Sequence, residues 1–335
     1  MSKELGQELG VQYVVEGSIR KFGSHCRLGV QLVDAETRNH LWAERYDREL
    51  QDVFTIEDEV TTAIVAAVAG QIQAAGIDKL RRKRPANLAA YDYLLRGLEH
   101  FNRAGSEDII PARDMFAQAI EIDPDFAQAH ASLALLLVEV FWTESLPDSK
   151  ARLEQALLEA QKAVALDGND SVCHMALALV HLARKSFDLA AHHIGLATKL
   201  NPNDAESIAH HGTLEMHTGR PEQALQSISF AMRLNPTPPN YYWIGQGLAL
   251  YHLRRCEEAS RAFERATAWR PYVYRYLAAC FAQLDRLSEA RALVAESLKL
   301  QPRFTLGVWA IIEPYQSRED LDDMLDGLRK AGLPE

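Results

Sequence analysis

Between Ala190 and Pro236 a five-residue ladder closes and then repeats. Ala190, Ile194, Ala197, Leu200 and Pro202 are followed by Ala224, Ile228, Ala231, Leu234 and Pro236, each position displaced by 34 residues. The same frame holds upstream at Ala112, Phe116, Ala119, Ile122 and Pro124, and downstream at Ala259, Phe263, Ala266, Trp269 and Pro271. A further copy, Ala290, Val294, Ser297, Leu300 and Pro302, carries serine in place of one alanine, and another, Ala156, Ala160, Ala163 and Leu166, ends on Gly168. The two small residues of each ladder lie seven apart, on one helical face with the larger residue between them. Small side chains there let two helices approach closely, and the larger one fills the space between neighbouring units. Proline offers no backbone N–H and pushes the residue before it out of the α region, so it ends the helix and opens a turn. An ordinary amphipathic bundle with scattered proline stops would not keep six such ladders in phase.

Period and pattern together resemble the tetratricopeptide repeat, a helix–turn–helix unit that stacks into a solenoid. The resemblance implies a mainly α fold: a right-handed superhelix of about six repeats over 85–302, with capping helices over 303–335. Three intervals depart from the period, Pro236 to Pro271 by a single residue at 35. Pro124 to Gly168 is 44 residues, and the excess falls around Phe141–Lys150, where Leu146-Pro147-Asp148 marks a loop, so a lengthened first helix or a protruding loop must absorb it. Pro271 to Pro302 is only 31. Beyond Pro302, Phe304–Ile312 reads as a helix. Ser317 with Asp320 reads as a capping box that opens a last helix, with Leu321, Leu325 and Leu328 on its buried side and Gly332 as its stop. A solenoid end needs such a cap.

Ahead of the repeats, residues 1–84 read as a small α+β segment. Val11, Tyr13, Val15 and Gly17 alternate with polar neighbours; Leu28, Val30 and Leu32 follow, then Leu41 to Tyr46. A three-stranded antiparallel meander is the economical reading. A helix over Thr55–Leu80, with Ile56, Val60, Ile64, Val68 and Ile72 as its stripe, would cover one sheet face. The sheet edges are left bare, which is unusual, so pairing with a second copy or a partner is expected. The stretch from Glu8 to Val60, with the phrases GSIRK, QLVDAET and HLWAERYD, resembles the latter half of the TolB-like domain of bacterial class III adenylate/guanylate cyclases. There the domain lies between the catalytic domain and tetratricopeptide repeats. RPANLAAYDYLLRG and the closing DGLRKAGLPE also look like those proteins. The resemblance implies that a cyclase domain and further TolB-like strands would precede this segment, and neither is in the sequence. No metal-binding aspartate or nucleotide-reading residue of a cyclase can be carried onto a position here.

Charge narrows the partners. The chain of 335 residues carries a net charge of −10, and beyond Arg84 it has 24 basic against 33 acidic residues. Nucleic acid is not expected, because neutralising phosphates needs a basic surface. Lys79 to Arg84 is a basic run that reads as a solvated helix end complementing the dipole, with an acidic partner or membrane surface as the alternative. The four cysteines are widely spaced with no C-x-x-C pair, which suits a reducing compartment. No secretory signal and no membrane-length apolar run is visible, so the cytoplasm is the expected location.

Catalytic and metal motifs are missing from the sequence. The adjacent pairs His192-His193 and His210-His211 point about 100° apart on a helix. His174 and His181, seven apart on one face, are the better pair, yet no third ligand stands at a recognised spacing. No cofactor is expected. What remains is an interaction scaffold, or the regulatory half of a cyclase-type protein; an enzyme with its site spread over the repeats is the rival class. In the repeat family the inner groove is lined by fixed positions of the first helices. Mapped on the prolines, these positions include His217, Tyr241, Ile244, Leu248, Tyr251, His252, Tyr272 and Arg275. Aromatic, histidine and arginine side chains offer large contact area with a polar tip. The Lys/Asn clamp that grips acidic C-termini is not at these positions, so an apolar or aromatic peptide is expected over a terminal carboxylate.

Overall fold

The computed structural model describes residues 13–22, 25–34, 37–49, 90–103, 106–143, 149–235, 237–266 and 271–335. The chain divides into two units, Met1–Lys79 with Arg233–Pro236, and Leu80–Met232 with Thr237–Glu335. The expected helix over Thr55–Leu80 and the basic run Lys79–Arg84 lie outside the described residues.

In the first unit, strands β1 (Tyr13–Phe22), β2 (His25–Asp34) and β3 (His40–Glu49) form the expected antiparallel meander in the order β1-β2-β3. Alternation sets the register: Leu28 faces Tyr46 and Leu32 faces Trp42, so one face gathers the apolar side chains. The central strand holds the buried residues Val30, Leu32 and Val33. On polar positions, Arg27 opposes Asp47 with 2.7 Å between guanidinium and carboxylate, and Glu16 opposes Gln31 at 2.8 Å.

The second unit is built from helix pairs. They are α1 (Ala90–Arg103) with α2 (Ile109–Ile122), α3 (Ala127–Thr143) with α4 (Ser149–Leu166), and α5 (Ser171–Ala183) with α6 (Phe187–Leu200). Next come α7 (Ala205–His217) with α8 (Pro221–Leu234), α9 (Asn240–His252) with α10 (Cys256–Glu264), and α11 (Pro271–Gln283) with α12 (Leu287–Leu300). Helices α13 (Leu306–Ile312) and α14 (Arg318–Lys330) close the chain. The extra length near Phe141 is shared by both helices of its pair, 17 and 18 residues where α5 and α6 have 13 and 14.

Every ladder starts on a second helix. Its two small residues and the larger one between them are buried in all six copies, from Ala112, Phe116 and Ala119 to Ala290, Val294 and Ser297. The fourth position varies: Ile122, Leu166, Leu200 and Leu300 are exposed, whereas Leu234 is buried. Glycine on the first helix completes the contact. A Cβ on Gly247 would lie 2.6 Å from the Phe263 ring, and one on Gly212 would lie 2.7 Å from Ile228. The helices therefore approach as only a missing side chain allows.

First helices end alike. Lys185, Gly219, Arg254 and Asp285 adopt positive φ between 58° and 75°. The following amides of Ser186, Arg220, Arg255 and Arg286 donate back to the carbonyls of His181, Glu215, Leu250 and Phe281. This left-handed helix end recurs at intervals of 34, 35 and 31 residues, the same intervals that separate the prolines.

Ser297, the one serine among the ladder positions, has a structural cause. Arg275, with 0% exposure, donates from one terminal nitrogen to Ser297 Oγ at 3.0 Å and to Gln301 Oε1 at 2.8 Å. Its guanidinium carbon stands 3.6 Å over the Phe304 ring. An alanine there could not accept the bond, and a buried guanidinium left short of acceptors is costly.

A candidate groove on the inner face

The first helices of all six pairs surround a cavity of about 210 Å³. Phe101 of α1, Val138 and Trp142 of α3, and Met175 and Leu179 of α5 supply one side. Helix α7 adds Glu206, His210, Thr213 and His217, a stripe at spacings of four, three and four that keeps one helical face. Tyr241, Ile244 and Leu248 of α9 and Tyr276 of α11 face them, and Glu313 with Pro314 closes the far end.

At one end of the cavity, polar groups are tied together. Asp204 caps α7, accepting from the amides of Glu206 and Ser207. Tyr241 and Tyr242 both donate their hydroxyls to the Glu206 carboxylate, the latter at 3.1 Å. Tyr241 lies flat on His210, with centroids 4.7 Å apart and planes within 2°. Burial pushes the Glu206 carboxyl up to about 7 against the pull of its tyrosine donors, and burial pushes His210 down to about 4. Near neutral pH, Glu206 is therefore shared between its charged and neutral forms.

The opposite end is made by the chain's own C-terminal segment. Gln316 donates its amide to the His217 carbonyl at 2.9 Å, and Lys185 Nζ donates to the Ala310 carbonyl at 3.1 Å. Tyr315, 6% exposed, packs between the imidazoles of His217 and His252. Tyr276 Oη donates to Glu313 Oε1 at 2.8 Å. Ser317 caps α14 by accepting from Asp320, and a Cβ on Gly327 of that helix would lie 2.9 Å from Tyr251 Oη.

Of the eight positions assigned to the groove, His217, Tyr241, Ile244 and Leu248 line the cavity. Tyr251, His252 and Arg275 do not, and the expectation for them is corrected. Tyr251 is 1% exposed, donating to the Asp323 carbonyl and accepting from Gln283 Nε2. The His252 side chain is 6% exposed beneath Tyr315 and Asp320. Arg275 belongs to the core beside Phe304 and Trp309. In each case residues beyond Leu300 cover a position that bare repeats would leave open. The Tyr272 side chain lies outside the described residues.

Superposition on known structures decides the architecture. The Cut9 and Hcn1 hetero-tetramer of the APC/C aligns with a TM-score of 0.51 at 17% identity, over 76% of this chain and 45% of that one. The helix pairs have a tetratricopeptide-repeat-like fold. YrrB, described as a TPR protein with an unusual peptide-binding site, aligns at 19% identity over 56% of this chain and 93% of its own, with a TM-score of 0.35. In sequence, a Rhizobium meliloti protein named "Putative adenylate cyclase 3" is 37% identical over 193 residues, or 57% of this chain. The chain spans 32% of the length of that relative. No protein-family profile matches the chain.

Within the repeats the histidines have structural duties. His130 Nε2 donates to the Pro124 carbonyl and His174 Nε2 to the Gly168 carbonyl, both at 3.0 Å and both six residues past the repeat boundary. His174 Nδ1 then accepts from His193 Nδ1 at 3.1 Å, which uses both nitrogens of the ring that sequence paired with His181. His181 stacks on His193, with centroids 5.7 Å apart. Among the described residues, no helix is long and apolar enough to cross a membrane.

Sequence reasoning missed Glu206, His210, Tyr242, Glu313 and Tyr315. The α7 stripe was readable as spacing. Glu313 and Tyr315 lie outside the repeats and follow no period.

Proposed function

We propose that the repeat unit is a protein-interaction scaffold whose inner groove receives a peptide segment of a partner. The observation that carries this reading is the cavity among the first helices of all six repeats, with His217, Tyr241, Ile244 and Leu248 on its wall. Enclosed apolar walls with a few convergent polar groups are what a ligand site offers. Selection from a displayed library of random peptides tests it. Enriched peptides are expected to bind the full chain and to lose affinity by about tenfold on Tyr241→Ala, the cost of one anchor of about 1–2 kcal/mol. Thermal unfolding is measured beside binding. Failure to enrich any peptide, or equal binding to a folded Tyr241→Ala variant, would sink the reading.

A second reading follows from the partial relative: the chain acts as the regulatory portion of a class III cyclase-type protein. The DNA upstream of the Met1 codon tests it, since an in-frame cyclase domain is expected there and an unrelated gene would refute it. On either reading this chain by itself makes no cyclic nucleotide, because no residue of it matches the cyclase metal-binding aspartates. Metal-dependent turnover of ATP by purified protein, abolished by a point mutation in it, would overturn that. The buried free thiols of Cys173, Cys256 and Cys280 suit a reducing cytoplasm. The outer strands β1 and β3 are the proposed surface for self-association.

A further inference from the structure

The cavity wall is rich in hydrogen-bond acceptors. Glu139, Glu206 and Glu313 line it, whereas among the described residues no lysine or arginine does. At its closed end Glu313 stands beside His217. His217 is 5% exposed, and its Nδ1 donates to the Thr213 carbonyl at 2.9 Å, which leaves Nε2 as the ring nitrogen not used by the helix backbone. That Nε2 is buried without a hydrogen-bond partner, 3.6 Å from Glu313 Oε2. Glu313 already takes the Tyr276 hydroxyl on Oε1, so Oε2 is the oxygen turned to the imidazole. The buried imidazole nitrogen and the carboxylate oxygen face each other without a hydrogen bond between them. A ligand that brings donors resolves this arrangement.

Three features narrow the donor. Tyr276 adjoins the pair through its bond to Glu313, and Leu248 and Leu179 also line the cavity, an aromatic ring and two aliphatic side chains suited to an alkyl stem. The volume of about 210 Å³ is below the roughly 300–1,000 Å³ of pockets for drug-sized ligands, which suits one side chain. A planar guanidinium presents several N–H groups in a fixed fork and stacks on aromatic rings, whereas an ammonium is a compact point charge. We infer that the cavity receives one arginine side chain of the partner peptide, its guanidinium bridging His217 Nε2 and Glu313 Oε2. The inference rests on the groove reading and specifies its ligand. The acidic excess of the repeat portion, 33 acidic to 24 basic residues, draws such a peptide in.

The test uses the full chain and mixtures of capped pentapeptides. The central residue is fixed as Arg, Lys, Leu or Glu, and the other positions are randomised among Ala, Leu and Ser; binding is read by calorimetry. The arginine mixture should bind at least about tenfold more tightly than the leucine and glutamate mixtures, as a buried anchor does. Glu313→Gln keeps an acceptor for Tyr276 but removes the charge, and should erase the advantage of the arginine mixture over the leucine mixture. His217→Leu is the second variant, with the same expected loss, should Glu313→Gln fail to fold by circular dichroism. Peptide binding without a preference for arginine would overturn this inference and leave the groove reading standing. An arginine preference that survives in both folded variants would also overturn it. Binding of n-butylguanidinium as tight as that of the peptides would make the ligand a free guanidine and refute the peptide assignment. If no mixture binds, both readings fall.

Discussion

His252 Nε2 lies 2.9 Å from Tyr315 Oη, joining the end of α9 to the segment between α13 and α14 across 63 residues of chain. Tyr315 is buried between two first helices, so the C-terminal segment belongs to the repeat core rather than to a loose tail. Tyr315→Ala should lower stability by about 3–5 kcal/mol, as deletion of a buried aromatic does. Tyr315→Phe, which removes only the hydrogen bond, should cost about 1 kcal/mol. Urea unfolding followed by circular dichroism measures both, and an unchanged midpoint for Tyr315→Ala would detach the segment from the folding unit.

Tyr251→Ala should behave as a core mutation, with a loss of about 3–5 kcal/mol. Its hydroxyl and ring are both enclosed by α14 and α11. A variant with wild-type stability and impaired peptide capture would return Tyr251 to the groove wall.

Gly247→Ala would place a methyl within 2.6 Å of the Phe263 ring. Overpacking of this kind costs about 1–3 kcal/mol. Phe263→Leu should recover part of that loss in the Gly247→Ala background while being harmful alone. A double-mutant cycle showing no coupling between the two positions would refute the close-approach account.

Acid should destabilise the repeats through their histidines. Burial lowers His193, His210 and His252 to about 4 each from an ordinary 6.5; neighbouring histidines add to the effect at His193, and nearby acids oppose it at His252. Between those values the unfolded chain binds more protons than the folded one, so stability falls as pH drops from about 6.5 toward 4. Chemical denaturation at pH 7 and pH 5 should show the lower midpoint at pH 5. Replacing His193 and His210 together by Gln should flatten that difference.

Glu206 works in the opposite sense. Its folded value, raised to about 7 from 4.5, means the folded state holds the proton more tightly. The stability it contributes is fully present below 4.5 and is lost as pH rises through about 7. Glu206→Gln mimics the protonated form, so relative to the wild type it should gain stability between pH 5 and pH 8. A constant difference between the two proteins across that range would show that Glu206 titrates normally.

The sequence by itself determined the repeat. Alanine pairs seven apart with a larger residue between them encode contacts between neighbouring helices, and proline or glycine at a constant offset encodes where each pair stops. Such packing is local, so its signal recurs with the period and can be read without coordinates. The three strands were legible for the same reason, because alternation is a local pattern. The tertiary structure alone decided what the inner face presents. Lys185 reaches Ala310, His217 meets Gln316 and His252 meets Tyr315, contacts 125, 99 and 63 residues apart in a chain whose repeat spans 34. The segment that makes them occurs once and has no counterpart in the period. Its folding back buried Tyr251, His252 and Arg275 and left His217 and Glu313 facing each other. A position rule taken from bare repeats assigns a helical face, but exposure depends on what else the chain packs against that face.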